Sequence, residues 1–279
     1  MEVTFYGVRG STPCSCDSNQ RYGGNTACVA ITAEDTDPIV LDLGTGLRFF
    51  GLTQPMDGSF RASVLLSHLH WDHVQGLPFL TPALKPGAEL DIYGPRQENG
   101  IGLREAFDVF MAPPYFPIRL TDLPSSVQFH ELADHGPIEV GRAKVLAREV
   151  PHIGPTLGFR IELDGVVIAY IPDHQQPGCG STSVSPAVLE LCEHADLVIH
   201  DSQYTVGEFA EKAHWGHCTV DYAVEVAAQA GAKRLVLFHH DPSHDDDEID
   251  TILGPAARLG ASRGLDEVLA ASEGLTLLF

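Results

Sequence analysis

The chain has 279 residues, 44% of them hydrophobic, and its 38 acidic against 17 basic residues give a formal net charge of −21. A chain of this length can bury a core of its own, and its acidic composition argues against long nucleic acids, which are bound mainly by Lys and Arg side chains that neutralise phosphates. Neither a run of about 18 apolar residues nor a secretion signal at residues 1–6 is present, which excludes a membrane-spanning helix and predicts a cytoplasmic protein.

Apolar runs bounded by glycine, proline and charged residues predict strands and helices that mix along the whole chain. Strands are predicted at residues 3–8, 27–31, 38–42, 62–66, 89–93, 143–149, 156–163, 166–171, 197–200 and 235–238. Helices are predicted shortly after residue 46, from residue 71 onwards, and at residues 102–110, 185–192, 220–230 and 247–258. No repeat or linker divides the chain, so we expect residues 1–279 to form one α/β domain of two packed sheets covered outside by helices.

Cys14 and Cys16 form the one close pair among six scattered cysteines. The cysteines as a whole lack the dense spacing of a secreted disulfide scaffold. The pair is interpreted either as two reduced thiols in a loop or as an accessory metal or redox site.

The segment after the fourth predicted strand reads His-x-His-x-Asp-His and is the most informative motif of the chain. In an extended segment, residues two apart point the same way, so His68 and His70 could bind one metal ion. The chain then turns into a helix, whose first residues Asp72 and His73 could face a second ion beside the first. Imidazole and carboxylate ligands suit zinc or a similar divalent metal.

Residues 107–123 combine several aromatic side chains with prolines, which prevent one continuous helix. This segment could form a lid over a pocket, and it could then supply an apolar wall for a base or sugar. It could equally be a loop that packs its own aromatic side chains into the core.

Two metal ions need more ligands than this motif supplies, and three later strand ends provide candidates. His152, Asp173 and His239 each follow a predicted strand, and His240 competes with His239. Any one of these residues alone would be weak evidence for a metal ligand. Together they complete two ligand sets that share one carboxylate. The pattern predicts one ion held by His68, His70, His152 and Asp173, and the other by Asp72, His73, Asp173 and His239.

These motifs together resemble the metallo-β-lactamase superfamily, and the similarity runs nearly from end to end. It rests on the ligand pattern and on the runs Gly23-Gly24-Asn25-Thr26 and Leu41-Asp42-Leu43-Gly44-Thr45-Gly46. The run Gly7-Val8-Arg9-Gly10-Ser11-Thr12 is similar to the branch of cyclic-nucleotide-phosphodiesterase-like hydrolases. The resemblance implies a four-layer αββα sandwich with a dinuclear metal site at one edge. Since the superfamily hosts many chemistries, the fold alone does not settle the function.

A short run before the predicted helix 220–230 also resembles a functional element of this superfamily. His217 stands in a Gly-His-Cys-Thr run, similar to the Gly-His-Ser-Thr element of the ribonuclease Z and phosphodiester-cleaving branches, with Cys218 where serine is usual. The resemblance implies that His217 protonates the leaving oxygen and that Asp201, where glutamate is common, orients it. His217 could instead cap the helix, and the shorter Asp201 could instead support a metal ligand.

The resemblance implies a hydrolase with two divalent metal ions, with Zn²⁺ as the first expectation and Mn²⁺ or Fe²⁺ as alternatives. A hydroxide bridging the two ions would be the nucleophile, since metal ions lower the pKa of bound water. Asp72 would position that water or accept its proton, while His217 and Asp201 would act on the leaving group. Asp42 is expected to hydrogen-bond a ligand histidine.

The short interval between His152 and Asp173 sets the expectation for the substrate. Ribonuclease Z carries a long basic arm for tRNA in this interval, but here 21 residues separate the two positions, with a hairpin-type turn at residues 163–165. Together with the net charge, this favours a small phosphodiester, including a cyclic one, over long nucleic acid. The alternatives are a carboxyl-type hydrolase of lactones, thioesters or lactams, a ribonuclease, and a non-catalytic metal-binding protein. The resemblance also implies a homodimer.

Overall fold

Two β-sheets packed face to face form the centre of the structure, a computed structural model that describes residues 1–98, 100–132 and 136–279. The strands are β1 (Glu2–Gly7), β2 (Cys28–Thr32), β3 (Ile39–Leu41), β4 (Arg61–Leu65), β5 (Glu89–Pro95), β6 (Ser126–Leu132), β7 (Ile138–Val140), β8 (Ala143–Glu149), β9 (Leu157–Leu163), β10 (Val166–Ile171), β11 (Leu197–Asp201), β12 (Arg234–Phe238), β13 (Glu267–Ala270) and β14 (Thr276–Leu278).

Within the described residues, each sheet has seven strands and combines a parallel with an antiparallel part. The first has the order β14-β1-β2-β3-β4-β5-β6 and is parallel from β3 to β6. The second has the order β13-β12-β11-β10-β9-β8-β7 and is parallel from β10 to β13. Because β8 and β10 both run antiparallel to β9, the carboxyl end of β8 lies at the same edge as those of β10, β11 and β12.

Helices cover the outer faces of both sheets. They are α1 (Leu47–Leu52), α2 (Trp71–Val74), α3 (Leu103–Phe110), α4 (Pro186–Cys192), α5 (Val206–Lys212), α6 (Val220–Gln229) and α7 (Asp246–Ser262). Short 3-10 helices lie at Asp17–Asn19, Leu77–Phe79, Thr81–Leu84 and Leu120–Asp122. Apolar residues of α1 and α3 pack on the first sheet, and those of α4, α6 and α7 pack on the second. The predicted four-layer αββα sandwich is therefore confirmed.

The inner faces of the two sheets share one apolar core. Alternate residues of β1, Val3 and Phe5, are fully buried there, as the period of two along a strand requires. Phe159 of β9 and Phe238 of β12 meet them from the second sheet. Strand β11 is buried at every position, because it is central in its sheet and helices cover its other face.

The central strands and most helices lie where the sequence predicts them, while four strands and one helix were not predicted. The missed strands are β6, β7, β13 and β14, which are the four edge strands of the two sheets. Three of these strands have only three or four residues, and β6, although longer, is mostly exposed or half-buried, so their apolar pattern is weak. The missed helix α5 carries a signal that could have found it: the Thr205 side chain accepts a bond from the Glu208 amide, and the Glu208 side chain bonds the Thr205 amide in return.

The aromatic segment 107–123 divides between the two roles considered for it. Phe107, Met111 and Leu120 are buried in the core beneath the first sheet's outer face. Tyr115, in contrast, is 77% exposed. The two ends of the segment therefore anchor it in the core, while most of the residues between them, Tyr115 included, are exposed at the surface.

The six cysteines are all free thiols. Cys14 accepts a hydrogen bond from the Asn19 side chain at 3.0 Å. Among the described residues, neither Cys14 nor Cys16 belongs to a group of side chains that could hold a metal ion. No helix in the described part of the chain has the length and apolar character needed to cross a membrane.

Replacing Phe159 with alanine should lower the free energy of unfolding by about 3–5 kcal/mol, because the lost ring leaves a cavity between the sheets. Urea denaturation of the wild type and the variant measures this difference. Leu278→Ala is the control, since Leu278 is 69% exposed on an edge strand and should cost less than about 0.5 kcal/mol. Equal costs for both substitutions would contradict the packing of the two sheets.

Candidate metal centre

Seven side chains predicted as metal ligands lie together at one edge of the sandwich. The loop after β4 and the start of helix α2 supply four of them, and the loops after β8, β10 and β12 supply one each. Both sheets therefore contribute to the cluster, and each loop follows the carboxyl end of its strand. The residues are His68, His70, Asp72, His73, His152, Asp173 and His239.

The first group consists of three imidazoles whose ligand atoms lie within 4.8 Å of one another, namely those of His68, His70 and His152. His70 Nδ1 and His152 Nε2 are 3.3 Å apart. The Asp173 carboxylate completes the group, because its Oδ1 atom lies 3.6 Å from His152 Nε2 and 3.9 Å from His68 Nε2.

The second group gathers two imidazoles and two carboxylates around one point. His73 Nε2 lies 3.2 Å from Asp72 Oδ2 and 3.3 Å from His239 Nε2. Asp173 Oδ2 lies 3.1 Å from His73 Nε2 and 3.5 Å from His239 Nε2. His239 Nε2 and Asp72 Oδ2 are 3.1 Å apart. Ligands about 2.0–2.1 Å from a tetrahedral zinc ion lie about 3.3–3.4 Å from one another, so these separations fit such an ion.

Two buried polar atoms in the cluster also fit a metal ion. Among the described residues, neither His68 Nε2 nor Asp173 Oδ2 has a hydrogen-bond partner, although both are buried. A buried polar atom without a partner costs free energy, and a metal ion would remove that cost. The donor set of imidazole nitrogens and carboxylate oxygens is one that divalent metals accept.

The histidines of the cluster differ in the direction of their pKa shifts. Burial lowers the pKa of His68, His70 and His152, which favours the neutral imidazoles that bind a metal. Burial opposes charge on His73 too, but the carboxylates of Asp72, Asp173 and Asp42 outweigh it and raise its pKa well above the usual range. The second group therefore concentrates negative charge, which a divalent cation would neutralise.

Asp42 fixes the orientation of His73. Its Oδ2 atom accepts hydrogen bonds from His73 Nδ1 at 2.7 Å and from the Tyr170 hydroxyl at 2.8 Å. Ser67 donates to the same carboxylate through its amide and its hydroxyl. Since the Ser67 hydroxyl donates to Asp42, it acts as acceptor for His68 Nδ1 at 3.0 Å. The expected hydrogen bond from Asp42 to a candidate ligand histidine is present, and both His68 and His73 are left with Nε2 facing the cluster.

Two further partners orient His152 and His239, and neither was predicted from the sequence. His152 Nδ1 donates to the carbonyl of Gly216 at 2.6 Å. His239 Nδ1 donates to Gln203 Oε1 at 2.9 Å, and the Gln203 amide group lies 3.3 Å from the Ser11 hydroxyl. A backbone carbonyl and a neutral amide leave no motif, because their effect depends on contacts across the fold.

His217 lies beside the cluster and is held by Asp201. The Asp201 carboxylate accepts from His217 Nδ1 at 2.9 Å, and the amides of His174 and Gln203 donate to its two oxygens. The shorter aspartate side chain does reach the histidine. Burial opposes charge on His217, but Asp201 and then Asp173 raise its pKa. His240, the competitor of His239, turns away and bonds the carbonyl of Ala271.

The loop after β1 packs against the second group. The amide of Ser11 donates to Asp72 Oδ2 at 2.8 Å. A Cβ atom at Gly10 would lie 2.3 Å from His239 Nδ1, so only glycine lets this loop approach the imidazole. This loop contains the run from Gly7 to Thr12 that resembles the phosphodiesterase-like branch. Its contacts with Asp72 and His239 could not be predicted from that resemblance.

Comparisons with known proteins agree with this architecture. Residues 39–240 match the family model of the β-lactamase superfamily domain. Ribonuclease Z of Natronomonas pharaonis is 27% identical to this chain in an alignment of 305 residues, gaps included. The alignment covers 92% of this chain and 94% of that protein.

Two solved structures share the fold over nearly their whole lengths. A diphosphatase of the PhnP family superposes with a TM-score of 0.70 at 21% identity, covering 100% of this chain and 97% of that chain. The Zn²⁺-bound PqqB of Methylobacterium extorquens has a TM-score of 0.70 at 19% identity, covering 100% of both chains. The comparisons agree with a metal-dependent hydrolase, but a relative named ribonuclease Z gives no support to the expectation that long nucleic acid is excluded.

Gly10→Ala should weaken metal binding by about 10- to 100-fold, because the added methyl group would displace His239. Metal content measured by mass spectrometry after dialysis against graded chelator concentrations gives the affinity. Gly178→Ala is the matched control, since an added Cβ there meets nothing within 4 Å. Equal metal retention in the two variants would contradict a ligand role for His239.

Proposed function

The chain belongs to the β-lactamase superfamily, and from this membership we propose that it is a metal-dependent phosphodiesterase that acts on a small phosphodiester. The observation that carries the proposal is the pair His217 and Asp201, a hydrogen-bonded proton donor next to the candidate metal ligands. Residues 1–279 would act as one domain, since loops of both sheets supply the site.

The proposed ligand sets follow the two groups of side chains, with Asp173 common to both. One ion would be held by His68, His70, His152 and Asp173, and the other by Asp72, His73, His239 and Asp173. Zn²⁺ is the proposed metal, because the separations in the second group fit tetrahedral coordination. When bound, the ions supply Lewis acidity that neutralises phosphoryl charge and lowers the pKa of water.

The residues of the chain itself supply the proton transfers. Asp201 accepts from His217 Nδ1, so Nε2 is the nitrogen that would deliver a proton to the leaving oxygen. Burial opposes charge on the Asp72 carboxyl, but the neighbouring His73 and His239 lower its pKa. Asp72 Oδ2 also accepts the Ser11 amide, so we propose that the ionised Asp72 is held in place by this bond and positions the attacking water.

The hairpin of β9 and β10 supports a small substrate. Leu163 and Val166 pair directly across a two-residue turn, and residues 164 and 165 both have positive φ angles, as tight hairpin turns require. Two strands and their turn thus occupy most of the residues between His152 and Asp173, and too few remain to form a substrate-binding arm. The net charge of −21 favours the same conclusion.

A ribonuclease is the second candidate, because the match to a ribonuclease Z covers 92% of this chain. Such an activity would need phosphate contacts along the RNA. Cleavage of a precursor tRNA that weakens steeply as the salt concentration rises would support this candidate over a small substrate.

Metal-loaded protein should hydrolyse bis(p-nitrophenyl) phosphate, and His68→Ala should abolish most of the turnover, because it removes a buried candidate ligand. The release of p-nitrophenolate measures the rate, and the metal content is recorded in parallel. His130→Ala is the control, since His130 bonds Asp91 away from the cluster. Two bound metals without any turnover would contradict the proposed function.

His217→Ala should slow diesters with poor leaving groups by about 10²- to 10⁴-fold, because an alkoxide needs a proton to depart. Nitrophenyl esters need no such proton and should lose far less. Steady-state rates over a series of leaving groups measure the difference. His214→Ala is a suitable control, because His214 is exposed three residues away. An equal loss on both ester classes would contradict the role of His217 as an acid.

A further inference from the structure

An apolar cavity of about 570 Å³ adjoins the candidate metal centre. Helix α3 supplies one wall through Phe107, Val109 and Phe110, and Trp71 and Tyr115 supply aromatic side chains at its margin. The volume falls in the range of about 300–1,000 Å³ that is typical of small-molecule sites. The cavity is therefore large enough for a ring system and too small for a folded macromolecule.

The cavity is adjacent to the cleft of the proposed chemistry. Leu69 and Trp71 line it, and the same two residues line the cleft that contains His70, Asp72 and His217. Both belong to the ligand motif itself, in which they alternate with the candidate ligands. A group bound in this cavity would therefore be a direct neighbour of a phosphate bound at the metal centre.

The character of the lining indicates what would bind. Among the described residues that line the cavity, none carries a charge, and Gln75 supplies the one carboxamide. A charged group would lose its hydration there without gaining a partner. Trp71 and Tyr115 are each 77% exposed, and aromatic faces left open beside a polar site are suited to stacking on a flat ring.

We propose that this cavity binds a neutral nucleobase attached to the scissile phosphodiester, and that Trp71 and Tyr115 determine the specificity for it. The proposal rests on the proposed phosphodiesterase function and names its substrate class as a small nucleotide diester. The Gln75 carboxamide would hydrogen-bond the edge of the base, while the aromatic side chains stack on its face.

The first test measures binding without hydrolysis. Trp215→Phe leaves Trp71 as the single tryptophan of the chain, so its fluorescence reports on the cavity. Titration with thymidine, an uncharged nucleoside, should change this emission to saturation. Ala106→Leu fills the cavity with a side chain that does not fluoresce. It should weaken thymidine binding by about 10-fold or more. Glu105→Leu on the same helix is the matched control, because Glu105 is exposed and does not line the cavity.

The second test compares two substrates with the same leaving group, thymidine 5′-(p-nitrophenyl phosphate) and methyl p-nitrophenyl phosphate. The wild type should prefer the thymidine ester in kcat/KM by about 10- to 100-fold, the range expected for stacking of one base. Tyr115→Ala should reduce this preference and leave the methyl ester nearly unchanged. Equal kcat/KM values for the two esters would overturn the inference.

The two proposals fail in different ways. Hydrolysis of the methyl ester without any preference for the thymidine ester would leave the phosphodiesterase standing and reject the nucleobase site. Saturable thymidine binding that Ala106→Leu weakens, with neither ester hydrolysed, would support the nucleobase site and reject the phosphodiesterase.

Discussion

Asp173 carries a carboxylate with 1% exposure between two groups of imidazoles, and the rest of the site is arranged around it. A buried carboxylate is costly unless positive charge or donors surround it. Burial opposes its ionisation, but His239, His73 and His68 lower its pKa well below the usual range. Its two oxygens face different groups, so one side chain sets the spacing between the two candidate metal positions.

A second layer of hydrogen bonds determines which nitrogen each histidine presents. His73 donates to a carboxylate, His152 to a backbone carbonyl and His239 to a neutral amide. These partners differ in charge, so the imidazoles differ in basicity even though all face the same cluster. The group that contains His73 is the more anionic of the two, and the two metal positions would therefore differ in affinity.

The sequence predicts the clustering of the candidate ligands better than it predicts the borders of the fold. These residues could be expected to meet because they follow buried strands, and the carboxyl ends of such strands lie at one edge. The four edge strands were missed because half-exposed strands have little apolar pattern. Gln203 and Gly10 were missed as contacts of His239, since an amide acceptor and an absent side chain act through proximity that no spacing records. The bond between Asp201 and His217 likewise depends on how β11 and the loop before α6 are placed.

The candidate ligands come from both sheets, four from the segment that follows β4 and three from the loops after strands of the other sheet. A metal ion bound to His73 and His239 would thus link the two sheets at one edge of the sandwich. Binding to the folded chain alone stabilises it, by about 4 kcal/mol when the free metal exceeds its Kd by about 1,000-fold. The same side chains that would serve catalysis would then also cross-link the two sheets through the metal. The thermal stability of the protein would increase with the concentration of free metal.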